Sequence, residues 1–151
     1  MTADIHAVLM ENLDGMRKSA LWLRRSFAKC VRIGVKEHYT EDEFDDFENL
    51  ASRYARMLDA ILNKVFRSID AVELEDGGTL LDAVNRAEKL GIVGSAEHVR
   101  DLKDLRNDIV HEYETDDLQS VFGQTLDATQ ELFDIAERIE RYCQRFAGLE
   151  A

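Results

Sequence analysis

The apolar residues of this chain recur in steps of three and four, the spacing that places side chains on one face of an α-helix. One such stripe covers residues 5–30 and stops before Gly34, a residue suited to closing a helix. A second stripe covers residues 44–69 and follows a capping box that begins at Thr40. The pattern therefore predicts two long helices in the first half of the chain.

Three more helices are predicted in the second half. The Asp-Gly-Gly turn at residues 76–78 marks a reversal of the chain, after which Thr79 caps a shorter helix. Ser95 begins a helix that ends around residues 113–115, and an aspartate at position 116 or 117 caps the last one. No segment alternates apolar and polar residues with a period of two, so no strand is predicted.

The predicted fold class is all-α, an antiparallel up-and-down helical bundle of four to five helices. The composition agrees with this, since 45% of the residues are hydrophobic, 33% are charged and no proline interrupts the helices. A chain of 151 residues has the size of one ordinary domain. We therefore expect a single domain over residues 1–151 with one core.

The net charge of the chain limits the ways in which it can bind nucleic acid. The formal net charge of −12 opposes non-specific binding to nucleic acid, so any RNA must bind to a local basic patch. The main basic concentration lies around the end of the first predicted helix and consists of Arg24, Arg25, Lys29, Arg32 and Lys36. An ordinary cluster of cations near a helix C-terminus explains these residues equally well.

The cysteines and the start of the chain favour a cytoplasmic protein. Cys30 and Cys143 are far apart and have no Cys-x-x-Cys or neighbouring histidine spacing, which favours buried thiols over a disulfide framework or a zinc site. The first residues lack a basic region followed by an apolar run, and no apolar stretch is long enough to span a membrane. We expect a cytoplasmic location and no membrane partner.

The segment Arg106-Asn107-Asp108-Ile109-Val110-His111-Glu112-Tyr113 is the one group of residues suited to a chemical reaction. On an ideal helix Arg106 and Tyr113 differ by about 20° around the axis, and Asn107 and His111 are neighbours one turn apart. Arg106 and His111 differ by about 140°. They share a substrate only if both side chains reach a common groove, the last turn loosens, or a second copy contributes.

These residue types suit the cleavage of an RNA phosphodiester. The neutral imidazole of His111 takes the proton of the 2′-hydroxyl, the imidazolium returns a proton to the leaving 5′-oxygen, and the Arg106 guanidinium stabilises the phosphorane. Asn107 orients the imidazole or the phosphate by hydrogen bonding. This chemistry requires no cofactor and no metal, and no cluster of carboxylates and histidines has metal-ligand spacing.

The same segment resembles the signature of the HEPN superfamily, which is an arginine, a polar residue and a histidine four to six residues beyond the arginine. The further tyrosine, which gives Arg-x4-His-x-Tyr with Arg106, His111 and Tyr113, is similar to the HepT toxin branch. Residues 47–56 also resemble the second helix of HepT-type proteins. The likeness extends to the helical order over most of the chain.

This resemblance implies a HEPN-like helical domain and a toxin of a type VII-like toxin–antitoxin pair. It implies a metal-independent endoribonuclease that forms a homodimer, with two motifs facing a shared cleft. It also implies neutralisation by an MntA-like nucleotidyltransferase antitoxin that adenylylates the motif tyrosine, here Tyr113. A function of another class stays open, namely a non-catalytic substrate-binding or regulatory subunit of a nucleotidyltransferase.

Simpler interpretations stay open for each candidate residue. Arg106 and His111 fit a solvated helix end, where the helix dipole favours cations, and Tyr113 fits a ring that covers the end of the bundle. Asp46 and Arg53 belong to a polar row on the second helix. This row either supports the motif or is a solvated face with salt bridges.

Overall fold

The computed structural model describes residues 4–75 and 77–147, and every regular element within these ranges is a helix. The α-helices are α1 (Ile5–Ile33), α2 (Glu41–Ala60), α3 (Phe66–Val72), α4 (Leu80–Lys89), α5 (Ala96–Thr115) and α6 (Phe122–Cys143). A π-helical turn at Ile61–Val65 joins α2 to α3, and 3₁₀ turns at Leu118–Val121 and Gln144–Phe146 flank α6. The predicted all-α fold class is confirmed.

Several helix boundaries lie at the residues that the sequence signals indicate. Thr40 and Glu43 form a reciprocal capping box at the start of α2. The side chains of Thr79 and Ser95 cap α4 and α5 in the same way, by accepting hydrogen bonds from backbone N–H groups of the first turn. Gly34 closes α1 with a φ of 75°, in the region that favours glycine.

The second predicted helix is not α-helical throughout. Residues 61–65 form the π turn, in which the N–H of Phe66 donates to the carbonyl of Ile61. The wider turn lets Ile61, Leu62 and Val65 all lie in the core. An apolar stripe that continues without interruption does not reveal such a turn, because the buried positions still recur every three or four residues.

The last predicted helix begins later than expected. Asp116 does not cap it, but takes the left-handed conformation, with a φ of 60°, and ends α5. The side chain of Asp117 makes no capping hydrogen bond either, and the chain first forms the 3₁₀ turn before α6 begins at Phe122. In the predicted turn at residues 76–78, position 76 lies outside the described residues, while both glycines have positive φ.

The helices pack as an antiparallel bundle around a hydrophobic core to which all six contribute. The start of α1 lies near the end of the chain's last helical turn, where the rings of His6 and Phe146 meet edge to face. Further along α1, Phe27 packs edge to face on Phe133 of α6. The largest side chains of the core include Tyr54, Phe47, Phe66 and Phe122.

Tyr54 ties α2 to α5 inside this core. Its hydroxyl donates a buried hydrogen bond of 2.8 Å to the carbonyl of Leu102. Burial raises the pKa of Tyr54, so the phenol keeps its proton and remains a donor. Because Leu102 lies one helical turn before Arg106, this bond fixes α5 against α2 close to the predicted motif.

Both cysteines are buried free thiols, as the sequence predicts. Among residues 4–75 and 77–147, no helix combines the length and the apolar character that crossing a membrane requires.

Candidate functional site

The four residues of the predicted motif all lie in the last three turns of α5. Leu105 and Ile109 point into the core and hold this part of the helix in place. Arg106 is half-buried at the edge of the helix that faces α2, whereas Asn107 and His111 lie on its solvent side. The motif is therefore a surface feature on a firmly packed helix.

Asp59 of α2 holds the guanidinium of Arg106. The Nε of Arg106 donates to one carboxylate oxygen at 3.2 Å and its Nη2 donates to the other at 3.0 Å. This bidentate pair fixes the plane of the guanidinium. It leaves Nη1 without a hydrogen-bond partner in the described part of the chain, and this nitrogen is free to bind an anion.

Asp59 was not among the residues predicted from the sequence. It lies 47 residues before Arg106, so only the packing of α5 against α2 brings the two together. A signal was present, since Asp59 sits among the apolar positions of the second helix on the flank of the buried stripe. An isolated carboxylate at such a position does not by itself indicate its partner.

Arg106 and His111 are not joined within one copy of the chain. No hydrogen bond links either of them to the other or to Asn107 among the described residues. Both lie in one continuous α-helix, so the separation of about 140° expected from helical geometry is kept. Val110, 41% exposed, lies beside His111 on the solvent side.

Tyr113 lies on the same edge of α5 as Arg106 and also faces α2. Its side chain is 40% exposed, which leaves the phenol accessible. Partial burial, and then the carboxylate of Glu48 on α2, raise the pKa of Tyr113. The phenol is therefore neutral near physiological pH.

The two supporting candidates on α2 lie away from this edge of α5. Nη1 of Arg53 donates to the hydroxyl of Ser26 at 2.6 Å and to the carbonyl of Trp22 at 3.2 Å, both on α1. The carbonyl of Asp46 accepts a hydrogen bond from the thiol of Cys30, also on α1. The structure thus places both residues on the side of α2 that meets α1, and neither contacts Arg106.

Comparisons with protein-family models, with curated proteins and with solved structures find no match to this chain. Within residues 4–75 and 77–147, no group of three or more His, Cys, Asp or Glu side chains is arranged to hold a metal ion. The site must accordingly be interpreted from its own residues.

Proposed function

We propose that this chain is the toxin of a toxin–antitoxin pair and cleaves RNA with the residues of α5. The observation that carries the proposal is the Arg106 guanidinium, which Asp59 holds in a fixed plane at the surface with one nitrogen free. An arginine prepared in this way suits a phosphate group. The exposed imidazole of His111, five residues along the same helix, supplies the group that moves protons.

In the proposed reaction the 2′-oxygen of the RNA attacks the adjacent phosphorus and the bond to the 5′-oxygen breaks. His111 takes the proton of the 2′-hydroxyl, and an imidazolium returns a proton to the leaving 5′-oxygen. Arg106 stabilises the charge on the phosphorane, and Asn107 orients the phosphate or the imidazole. The products are a 2′,3′-cyclic phosphate and a free 5′-hydroxyl.

The reaction requires a second copy of the chain. Arg106 and His111 point to different sides of α5 in one copy, so a homodimer is needed to place both groups on the same phosphate. In the proposed dimer the solvent side of α5, which carries Asn107 and His111, faces the equivalent helix of the partner. The protein acts in the cytoplasm, where its RNA substrate is found.

The proposed partner that neutralises the toxin is a nucleotidyltransferase that adenylylates Tyr113. The phenolic oxygen attacks the α-phosphorus of ATP, pyrophosphate leaves, and the phenol proton passes to a base of the enzyme. Tyr113 suits this role because its side chain is 40% exposed. Because the pKa of Tyr113 is raised, the phenol is protonated, and the nucleotidyltransferase supplies the base that removes its proton.

The experiment that tests the proposal is cleavage of single-stranded RNA by the purified chain in the presence of a chelator. We expect wild-type protein to produce 2′,3′-cyclic phosphate ends, and Arg106→Ala and His111→Ala to lose this activity together with the arrest of growth. Lys103→Ala is the matched control, since it removes another exposed cation of α5. Equal cleavage by the wild type and both motif variants would reject the proposal.

One observation favours a second candidate function, a non-catalytic substrate-binding or regulatory subunit of a nucleotidyltransferase. Arg106 is already neutralised by Asp59, and His111 does not approach it within one copy. Under this alternative the surface of α5 binds a nucleotide or the partner without turnover. The same assay decides, because a binding subunit leaves RNA intact in the absence of its enzyme.

A further inference from the structure

A cavity of about 330 Å³ opens to solvent between α1 and α2. Its lining residues are Lys18, Ser19, Trp22, Arg53 and Arg56, and we call it the Trp22 pocket. Three of the five carry a positive charge, in a chain whose net charge is −12. Such a local concentration of cations can attract an anion although the protein as a whole is acidic.

The cations of the pocket are largely unneutralised. Within the described part of the chain, Lys18 forms an ion pair with Asp14, whereas Arg53 and Arg56 have no carboxylate within salt-bridge distance. Among residues 4–75 and 77–147, the one hydrogen bond that Arg56 donates from its side chain is to the hydroxyl of Ser52, at 3.2 Å. Two guanidinium groups are thus available for an anion.

Arg53 is held in position for that anion. Its Nη1 is bound by the hydroxyl of Ser26, a side chain that is only 3% exposed, and by a backbone carbonyl of α1. The remaining N–H groups of its guanidinium have no hydrogen-bond partner among the described residues. Because its partner is buried and fixed, Arg53 loses little side-chain entropy when a ligand binds.

Trp22 supplies an aromatic surface beside these cations. Its side chain is 51% exposed, although indole rings usually lie largely inside a protein. The guanidinium groups of Arg25 and Arg53 lie 5.7 Å and 5.3 Å from the ring centroid, within reach of a cation–π interaction. A flat ring flanked by flat cations is the surface on which nucleobases stack.

We propose that the Trp22 pocket binds a nucleotide, with the base stacked on Trp22 and the phosphate bound by Arg53 and Arg56. Ser19 and Lys18 also line the pocket, and in the proposed complex they contact the ribose and a second phosphate. The nucleotide is either free or part of an RNA strand, since both present a base and a phosphate. This proposal concerns binding alone and holds whether or not the residues of α5 cleave RNA.

The position of the pocket suits an RNA strand that crosses α2. Arg56 precedes Asp59 by three residues, which is about 4.5 Å along the helix axis, and Asp59 holds Arg106. A strand bound in the pocket can therefore reach the edge of α5.

Trp22 is the only tryptophan in the sequence, so its fluorescence reports on this pocket alone. The experiment titrates His111→Ala protein, which removes the proposed proton-transfer group, separately with AMP and with a short single-stranded oligoribonucleotide. We expect saturable quenching of the fluorescence by stacking. Quenching by AMP identifies a site for free nucleotides, and quenching by the oligoribonucleotide alone identifies a site for an RNA strand; either result supports the proposal.

Variants test whether the quenching arises from binding in the Trp22 pocket. Arg56→Gln should weaken binding about tenfold, the effect of losing one charge-assisted hydrogen bond. Arg141→Gln is the matched control, because it removes the same charge from an exposed site on α6, a helix that does not line the pocket. Trp22→Leu should also weaken binding about tenfold. Because this variant has no tryptophan, its binding is measured by the fluorescence anisotropy of a labelled oligoribonucleotide or nucleotide. Absence of quenching by both ligands, or equal losses in Arg56→Gln and Arg141→Gln, would overturn the proposal.

Discussion

The carboxylate of Asp59 binds the guanidinium of Arg106 through two hydrogen bonds, of 3.2 Å and 3.0 Å, between α2 and α5. Both side chains are partly exposed, with 33% of Arg106 and 41% of Asp59 open to solvent. At that exposure the pair contributes only about 0 to 1 kcal/mol to stability. Its main effect is geometric, because it sets the direction of the one guanidinium nitrogen that remains free.

We therefore predict that Asp59→Asn lowers RNA cleavage about tenfold through kcat, with little change in KM, because a loosened guanidinium no longer meets the phosphorane in a fixed orientation. Steady-state kinetics on a labelled RNA measure this. The control is Glu140→Gln, which removes the carboxylate of a second bidentate pair, with Arg17, remote from α5. The role of Asp59 is refuted if its variant cleaves at the wild-type rate or if both variants lose activity equally.

Much of this fold could be predicted from local signals. Thr40 and Ser95 cap helices by bonds that reach only three residues along the chain, so their effect is visible in the sequence. The apolar stripes likewise determine which face of each helix is buried. The π turn at Ile61–Val65 and the 3₁₀ turn before α6 could not be predicted, because the same residues fit a regular helix and tertiary packing selects the alternative.

The sites depend on contacts between helices, which the sequence does not encode locally. The stripe of α5 places Arg106 at its edge, but the rotation of α2 decides that Asp59 rather than Arg53 meets it. The sequence shows that Trp22 lies off the apolar stripe of α1. It does not show that Arg53 and Arg56 lie beside Trp22, because the packing of α2 against α1 brings them there. By contrast, helical periodicity alone predicts which side of α5 carries His111, and this is the side that a second copy must approach.

Two glycines of α1 should respond in opposite directions to replacement by alanine. Gly15 lies in the middle of the helix with no atom within 4 Å of an added Cβ, so Gly15→Ala should stabilise the protein by about 0.5 to 1 kcal/mol. Gly34 closes the helix at a φ of 75° and a ψ of 175°, so Gly34→Ala should destabilise it by about 1 to 3 kcal/mol. Urea unfolding at equilibrium measures both, and changes of the same sign would contradict the prediction.

The stability of the protein should fall as the pH rises from about 9 to about 12. Burial raises the pKa of Cys30 and of Cys143 from 9.0 to about 12. In this window the thiols keep their protons in the native state and lose them in the unfolded state. The free energy of unfolding therefore falls as the pH rises. The contribution of the thiols is complete below pH 9.0 and is lost by about pH 12.

Urea unfolding at several pH values between these limits tests the effect of the thiols. A variant carrying both Cys30→Ala and Cys143→Ala should be less stable at neutral pH, because it has two cavities, but its stability should fall less steeply with pH. Tyr54 and Tyr142, whose pKa values are also raised, are present in both proteins and cancel in the comparison. Equal slopes for the two proteins would contradict the assignment.

Tyr113 should be the residue that a cognate nucleotidyltransferase modifies. It is the most exposed of the four tyrosines, since Tyr54 and Tyr142 are buried and Tyr39 is half-buried. An AMP group on Tyr113 adds a phosphodiester about 10 Å along α5 from Arg106 and on the same edge of the helix, where its charge competes with the RNA phosphate. With the enzyme and ATP, mass spectrometry should find one AMP on wild-type protein and on Tyr39→Phe, and none on Tyr113→Phe.

Because the phenol takes no part in cleavage, Tyr113→Phe should also keep the wild-type rate of RNA cleavage and become resistant to inactivation by the nucleotidyltransferase. Labelling that persists in Tyr113→Phe would place the modification elsewhere, and loss of cleavage in that variant would mean that the phenol itself contributes to the reaction.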